Sequence, residues 1–210
     1  MSKDQYFAEQ PAAQSEPLTF KVALPDGTMN LTTDRGVFSH GALDTGTRVL
    51  ILKAPPLDPA RTAPGANLLD LGCGVGPLAI TLARRAPQAT VWAIDVNNRA
   101  LHLTRENARA NKITNIQTCT PEQIDPSIRF EVIWSNPPIH IGKAAMHEML
   151  LHWLGRLTPT GEAVMVVQKH LGSDSLLEWL NREGFPTDRI SSAKGYRLLH
   201  VRPRADILGS

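Results

Sequence analysis

The sequence predicts an α/β protein: a doubly wound, mainly parallel sheet of seven strands with an antiparallel C-terminal hairpin and an N-terminal β-hairpin/helix extension. Three observations predict it. From Asn67 onward short apolar runs alternate with helical patterns, which is the signature of strand–helix–strand units. A glycine loop joins the first of these strands to the first helix, where open α/β sheets place their ligands. The first 66 residues differ in texture, with a turn sequence, a short helix and a proline-rich loop.

Taken in order, Thr19–Leu24 and Met29–Thr33 flank the turn sequence Pro25-Asp26-Gly27 and predict a hairpin. Asp44–Lys53 predicts a short helix, followed by a loop carrying Pro55, Pro56, Pro59 and Pro64. Leu68–Leu71 is the first core strand, and Pro77 suits the first position of the next helix. Thr90–Asp95, Asn115–Thr120 and Phe130–Ser135 are further strands, with a helix over Asn98–Lys112. Gly142–Leu157 carries Met146, Met149, Leu150, Trp153, Leu154 and Leu157 at helical spacing. Glu162–Gln168 is a buried strand, and Ser173–Glu183 a helix that stops at Gly184. Ile190–Ser192 and Tyr196–Arg202 form a hairpin around Lys194-Gly195. No internal repeat or low-complexity tract interrupts the pattern. The expected organisation is an extension over residues 1–66 and a core over residues 67–210, together one structural unit.

Composition narrows the class. The chain has 210 residues, 42% hydrophobic and 20% charged, enough to bury a sizeable core and inconsistent with global disorder. Cys73 and Cys119 are too few for a disulfide framework or a four-ligand zinc site, so they read as reduced thiols and no metal is expected. No run approaches the roughly 18 apolar residues of a membrane span. Met1–Gln10 is polar and mixed in charge, without an apolar targeting core. The expectation is a cytoplasmic protein without membrane contact. Net charge is only +2, but from Asn181 onward six Lys/Arg stand against three acids. That excess suits either a solvated edge or a phosphate-rich partner.

The glycine loop reads Asp70-Leu71-Gly72-Cys73-Gly74-Val75-Gly76. Its glycines allow positive φ and close approach of a ligand. Asp95 ends the next strand, about 20 residues on, where a carboxylate can accept both ribose hydroxyls. Two ligands suit such a loop, a dinucleotide and S-adenosylmethionine. A pyrophosphate calls for G-x-G-x-x-G at the helix N-terminus, whereas the spacing here is G-x-G-x-G. Asp70 adds a negative charge just ahead of the loop, which suits an amino group or sulfonium and repels a pyrophosphate. These features favour S-adenosylmethionine.

Asn136-Pro137-Pro138-Ile139 directly follows the Phe130–Ser135 strand and faces the same crevice. Proline after asparagine keeps Asn136 extended, and two prolines remove two N–H donors, so the loop presents carbonyls. The Asn136 side-chain oxygen and the Pro137 carbonyl can each take one N–H of an exocyclic amino group. That draws the nitrogen lone pair out of conjugation and aims it at a methyl group.

These motifs resemble those of class I S-adenosylmethionine-dependent methyltransferases of the methyltransferase small domain group, and most of all the RsmC-type enzymes that methylate guanine N2 in 16S ribosomal RNA. The resemblance runs from Tyr6-Phe7 to Arg202 and includes Gly36-Val37-Phe38-Ser39, Leu43-Asp44-Thr45-Gly46-Thr47, Asp95-Val96-Asn97, Asn136 to Lys143, Gln168-Lys169 and Lys194-Gly195-Tyr196-Arg197. It implies a Rossmann-like fold whose cofactor lies with its methionyl part over Asp70, Gly72, Cys73, Gly74 and Gly76 and its ribose at Asp95, leaving S-adenosylhomocysteine as product. Val96, Asn97 and Asn136 would line the same pocket, covered by Phe38, Ser39 and Thr47 of the extension. Glu122 would meet the adenine, at a place where relatives usually carry Ser-Asp and this chain has Pro121-Glu122. Asn136, Pro137, Pro138 and Ile139 would be catalytic, with Ile139 where many relatives have an aromatic residue that stacks on the target base. Some members carry a second, inactive copy of the domain, for which this chain has no room. The implied partner is ribosomal RNA or the small ribosomal subunit. The alternatives are amino-group methylation of DNA adenine or protein glutamine, a non-catalytic RNA- or cofactor-binding module, and, least favoured by the glycine spacing, a nicotinamide oxidoreductase.

Overall fold

A computed structural model describes residues 14–37, 41–138 and 141–205. The expected doubly wound sheet is there, with seven strands in the order β5-β4-β3-β6-β7-β9-β8. The strands are β3 (Asn67–Leu71), β4 (Thr90–Ile94), β5 (Ile116–Cys119), β6 (Phe130–Ser135), β7 (Leu157–Gln168), β8 (Thr187–Ala193) and β9 (Tyr196–Val201). β3 to β7 pair in parallel, and β7, β9 and β8 pair antiparallel.

Both faces of the sheet are covered, so its central strands carry apolar residues on both sides, as in Val132-Ile133-Trp134 of β6 and Ala163 to Val167 of β7. On one face Leu69, Leu71, Met165 and Val167 meet helices α4 (Lys143–Leu154) and α5 (Ser173–Arg182). On the other, Leu68, Val91, Val164 and Val166 meet α1 (Thr45–Lys53) and α2 (Pro77–Arg85). Side chains alternate between the two cores along each strand, as the two-residue strand period requires. Helix α3 (Asn98–Ala110) adds Leu101 to the second core.

Chain order reverses between β3 and β6, which pair side by side with Leu71 opposite Ser135. Ser135 Oγ, fully buried, donates to the Leu71 carbonyl at 2.8 Å and fastens the two strand ends. The glycine loop after β3 and the Asn-Pro-Pro loop after β6 therefore open into one crevice, at the switch point of the sheet.

The expected N-terminal hairpin forms from β1 (Leu18–Leu24) and β2 (Gly27–Thr33), with Leu24 opposite Gly27 across Pro25-Asp26. Val22, Met29 and Leu31 bury against Ile80 of α2. β2 has no second strand partner among the described residues. Asn107 of α3 and Asn111, its C-cap, take that place: Asn107 accepts from Thr32 N (2.7 Å) and donates to Thr32 O (2.9 Å), and Asn111 does the same for Asn30. A carboxamide matches a peptide group donor for acceptor, so the strand edge is satisfied without another strand.

Two expectations shift. The α4 helix ends at Leu154 with Gly155 as its cap, and Leu157 opens β7 opposite Phe130 rather than closing the helix. Leu157 is fully buried there, and an apolar residue at helical spacing from Trp153 reads alike in either element. The basic excess after Asn181 is also partly consumed within the fold. Arg197 is ion-paired with Asp174, Arg202 with Asp188 at 2.6 Å, and Arg204 lies over the Phe185 ring. The Lys194-Gly195 turn has φ of 50° and 78°, the two consecutive left-handed residues of a tight hairpin turn.

Asn107 is buried and also donates to Val75 O at 2.9 Å. Asn107→Ala leaves Thr32 N, Thr32 O and Val75 O without it, and should lower unfolding free energy by about 3 kcal/mol in urea titrations. A loss below about 1 kcal/mol would show that water replaces the carboxamide freely.

Candidate active site

The crevice holds a cavity of about 300 Å³. Its floor is the glycine loop. Gly72 N and Cys73 N both donate to Ile94 O at 2.9 Å, and Gly74 N donates to Asp95 Oδ2 at 2.9 Å. Gly72 and Gly74 sit at φ of 75° and 55°, and a Cβ on either would meet no atom of the described residues within 4 Å. The loop thus offers bare backbone to open space, a cradle that side chains would fill. Gly76, at φ 86°, serves packing instead: a Cβ there would lie 2.8 Å from the Thr104 side chain. It caps α2 and stands outside the cavity lining.

Asp95 accepts Gly74 N through one oxygen and Asn97 N through the other, at 2.9 Å each. Burial pushes its carboxyl above the usual range, against the backbone N–H groups that favour the ionised form. Asn97 caps α3 through its side-chain oxygen and donates to Gly36 O at 3.0 Å, tying the extension to the core. Val96 is exposed on the same wall.

Asp70 lies beneath the loop, wholly buried, rather than in the cavity wall. One oxygen accepts Ala79 N at 2.8 Å, and the other has no partner among the described residues. Burial, helped by the nearby Asp95 charge, pushes its carboxyl up to about 8. The negative charge expected just ahead of the loop is therefore masked by a proton at neutral pH in the ligand-free protein. Burial also pushes the Cys73 thiol well up, so it is a packing group and not a nucleophile.

The opposite wall is the Asn-Pro-Pro loop. Asn136 donates from Nδ2 to Asp44 Oδ2 at 2.8 Å and to Thr47 Oγ1 at 3.1 Å. Asp44 Oδ2 also accepts Thr47 N at 2.8 Å and caps α1. Both amide protons of Asn136 are thereby committed, and its Oδ1 remains an acceptor. Pro137 and Pro138 line the cavity beside it.

Of the expected site residues, Thr47, Gly72, Cys73, Gly74, Asp95, Val96, Asn97, Asn136, Pro137 and Pro138 border this one cavity. Glu122 does not; it is exposed in the turn Pro121–Gln123, and Pro121 takes the lining position. In a 3₁₀ turn successive side chains diverge by about 120°, so an inward Pro121 turns Glu122 away. Phe38, Ser39 and Ile139 lie outside the described residues. Asp44, Met149, Gln168 and Tyr196 line the cavity without having been expected there. Asp44, Gln168 and Tyr196 stand in motifs that carry the resemblance, whereas Met149 shows only as an apolar helix position.

The methyltransferase small domain family matches residues 28–200. The chain belongs to that family. Among similar proteins, the uncharacterized Bacillus subtilis protein YbxB is 32% identical over 204 residues, 95% of this methyltransferase and 98% of YbxB. Ribosomal RNA small subunit methyltransferase C of Pseudomonas putida is 34% identical over 177 residues, 80% of this chain and 51% of its own. A solved relative, the T. thermophilus 16S rRNA N2 methyltransferase RsmC in complex with AdoMet and guanosine, superposes with a TM-score of 0.75. It is 25% identical, and the match covers 92% of this chain and 52% of that one. This methyltransferase thus spans about half the length of the relatives that bear the RsmC name. Among its described residues no helix is long and apolar enough to cross a membrane.

The residues present fit S-adenosylmethionine. The glycine cradle is open, and Asp95 faces it from the next strand end. Asp70 also sets a pH dependence. A carboxyl raised from 3.8 to about 8 keeps its proton in the fold and releases it when unfolded above pH 4. Ligand-free stability should therefore fall as pH rises from about 4 to about 8. Asp70→Asn, whose side-chain oxygen can still accept Ala79 N, should flatten that fall in urea midpoints measured at pH 5 and pH 8. An unchanged slope would assign the fall to other groups.

Proposed function

We propose that this methyltransferase transfers a methyl group from S-adenosylmethionine to the N2 amino group of a guanine in 16S ribosomal RNA, free or within the small subunit, in the cytoplasm. The observation that carries the reading is the orientation of Asn136. With both amide protons held by Asp44 and Thr47, its Oδ1 can only accept. The adjacent Pro137 carbonyl accepts no hydrogen bond from the described residues. Two neighbouring acceptors, with no N–H on either proline to compete, suit the two protons of an exocyclic amino group.

When bound, the cofactor supplies an electrophilic methyl carried on a cationic sulfonium. Asp95 would hold the ribose through its carboxylate, and the glycine loop would carry the methionyl part. Asn136 Oδ1 and Pro137 O would hold the amino group, bias its nitrogen toward a tetrahedral shape and fix its line of approach. Transfer removes the charge from sulfur and places it on nitrogen, so orientation and local acceptors supply most of the acceleration. The methylated nitrogen is then strongly acidic and sheds its proton without a dedicated base. We assign the segment before residue 67 to a cover over this site, because Val37, Leu43, Asp44 and Thr47 border the same cavity as the core residues.

RNA as the polymer is supported by the names of the relatives and by the surface beside the cavity. Lys169, His170 and Lys194 are exposed at the strand ends adjoining Gln168 and Tyr196, and Lys169 N donates to Gly195 O at 2.8 Å. Cations there would meet phosphates flanking an unstacked guanine.

The test uses labelled S-adenosylmethionine and ribosomal RNA, followed by digestion to nucleosides and mass spectrometry. Label in N2-methylguanosine is expected. Label in another nucleoside such as 6-methyladenosine, or nowhere, would contradict the reading. Asn136→Ala should lower turnover by about 10² or more. Its affinity for S-adenosylhomocysteine by calorimetry should stay near wild type. Activity within a few-fold of wild type would reduce Asn136 to a structural role.

A further inference from the structure

Asp44 does more at this wall than cap a helix. Its Oδ2 is saturated by Thr47 N and Asn136 Nδ2 at 2.8 Å each. Its Oδ1 accepts no hydrogen bond from the described residues, yet Asp44 is only half-buried and lines the cavity beside Asn136. Among the described residues the wall therefore carries three acceptors without donors: Asp44 Oδ1, Asn136 Oδ1 and the Pro137 carbonyl.

Three acceptors on residues that border one cavity constitute a chemical specification. The edge of guanine that bears N2 presents three N–H groups, one at N1 and two on the amino nitrogen. Adenine offers two N–H groups at N6 and a lone pair at N1, and a primary carboxamide offers two N–H groups beside an oxygen. Either of the latter would set a lone pair against the Asp44 carboxylate, where the mismatch costs more than the missing bond.

We infer that Asp44 is the guanine-selecting residue of this site, accepting N1–H through Oδ1 while its Oδ2 holds Asn136 with the carboxamide oxygen toward the amino group. The inference rests on the guanine-N2 reading above. It separates two functions on one carboxylate, positioning through one oxygen and base selection through the other. It also explains why the residue that caps α1 is a charged acceptor. Serine or asparagine caps a helix as well, but neither offers two carboxylate oxygens.

Asp44→Asn isolates the second function. An asparagine can keep its oxygen on Thr47 N and Asn136 Nδ2, preserving cap and lock, and then turns an NH₂ toward the base. The probe is 2-aminopurine riboside, which keeps the 2-amino group but has a lone pair at N1. Binding of guanosine and of this analogue is measured by calorimetry on protein saturated with S-adenosylhomocysteine, which also reports that the variant is folded. Wild type should bind guanosine at least about tenfold more tightly than the analogue, the scale of one unmatched buried acceptor. In Asp44→Asn the ratio should fall to within about threefold, through weaker guanosine and stronger analogue binding. A cap acting only through structure would weaken both ligands together and leave the ratio unchanged, which overturns the inference. Equal affinities in wild type overturn it whatever the variant does, and so does wild type that fails to bind guanosine. Because the assay reads nucleoside binding and not methyl transfer, its failure is distinct from failure of the labelled-nucleoside experiment.

Discussion

The pair of hydrogen bonds from the Asn136 amide to Asp44 and Thr47 is the interaction on which the site depends. It joins two parts of the chain that reach the cavity by different routes. Asn136 arrives at the end of β6, held beside β3 by parallel pairing and by the buried Ser135–Leu71 hydrogen bond. Asp44 and Thr47 arrive on the first turn of α1, which packs on the far core through Val49, Leu50 and Ile51. An unconstrained carboxamide would present either its oxygen or its NH₂ to a ligand. The N-terminal extension removes that freedom and makes the loop a set of acceptors. Structure before residue 67 is in this sense part of the chemistry.

A second constraint lies on the floor. Asp70 and Asp95 stand close together under low-dielectric surroundings, and burial raises both carboxyls. Such a pair opposes the ligand-free fold at neutral pH, and a cation brought near it would relieve the strain. Binding energy and stability are therefore linked at this floor. The glycines complete the arrangement: with no Cβ at Gly72 or Gly74, nothing separates a ligand from the backbone.

Much of this was legible in the sequence, for physical reasons that can be named. β6 matches its expected bounds, Phe130–Ser135, because a run of apolar residues closed by Asn-Pro-Pro has one reading. The glycine loop and Asp95 were legible because spacing alone puts them at adjacent strand ends. Leu157 was misread because strand and helix share an apolar residue at that spacing, and only its pairing with Phe130 decides. Glu122 lies outside the cavity lining that Pro121 joins, because the direction of a side chain in a 3₁₀ turn depends on what its neighbour packs against. Arg197 and Arg202 counted as free charge until folding set acids beside them. Asp44 was visible only as part of a motif. Its second role follows from a contact spanning 92 residues, which no local pattern encodes.

The most direct test of the acceptor wall is a crystal structure with S-adenosylhomocysteine and guanosine bound, at a resolution that orients the Asn136 amide from its partners. The account predicts N2 within about 3 Å of both Asn136 Oδ1 and the Pro137 carbonyl, N1 within about 3 Å of Asp44, and Asn136 Nδ2 still on Asp44 and Thr47. A guanine seated with its N2 edge away from these three groups, or an Asn136 amide turned to donate to the base, would contradict it.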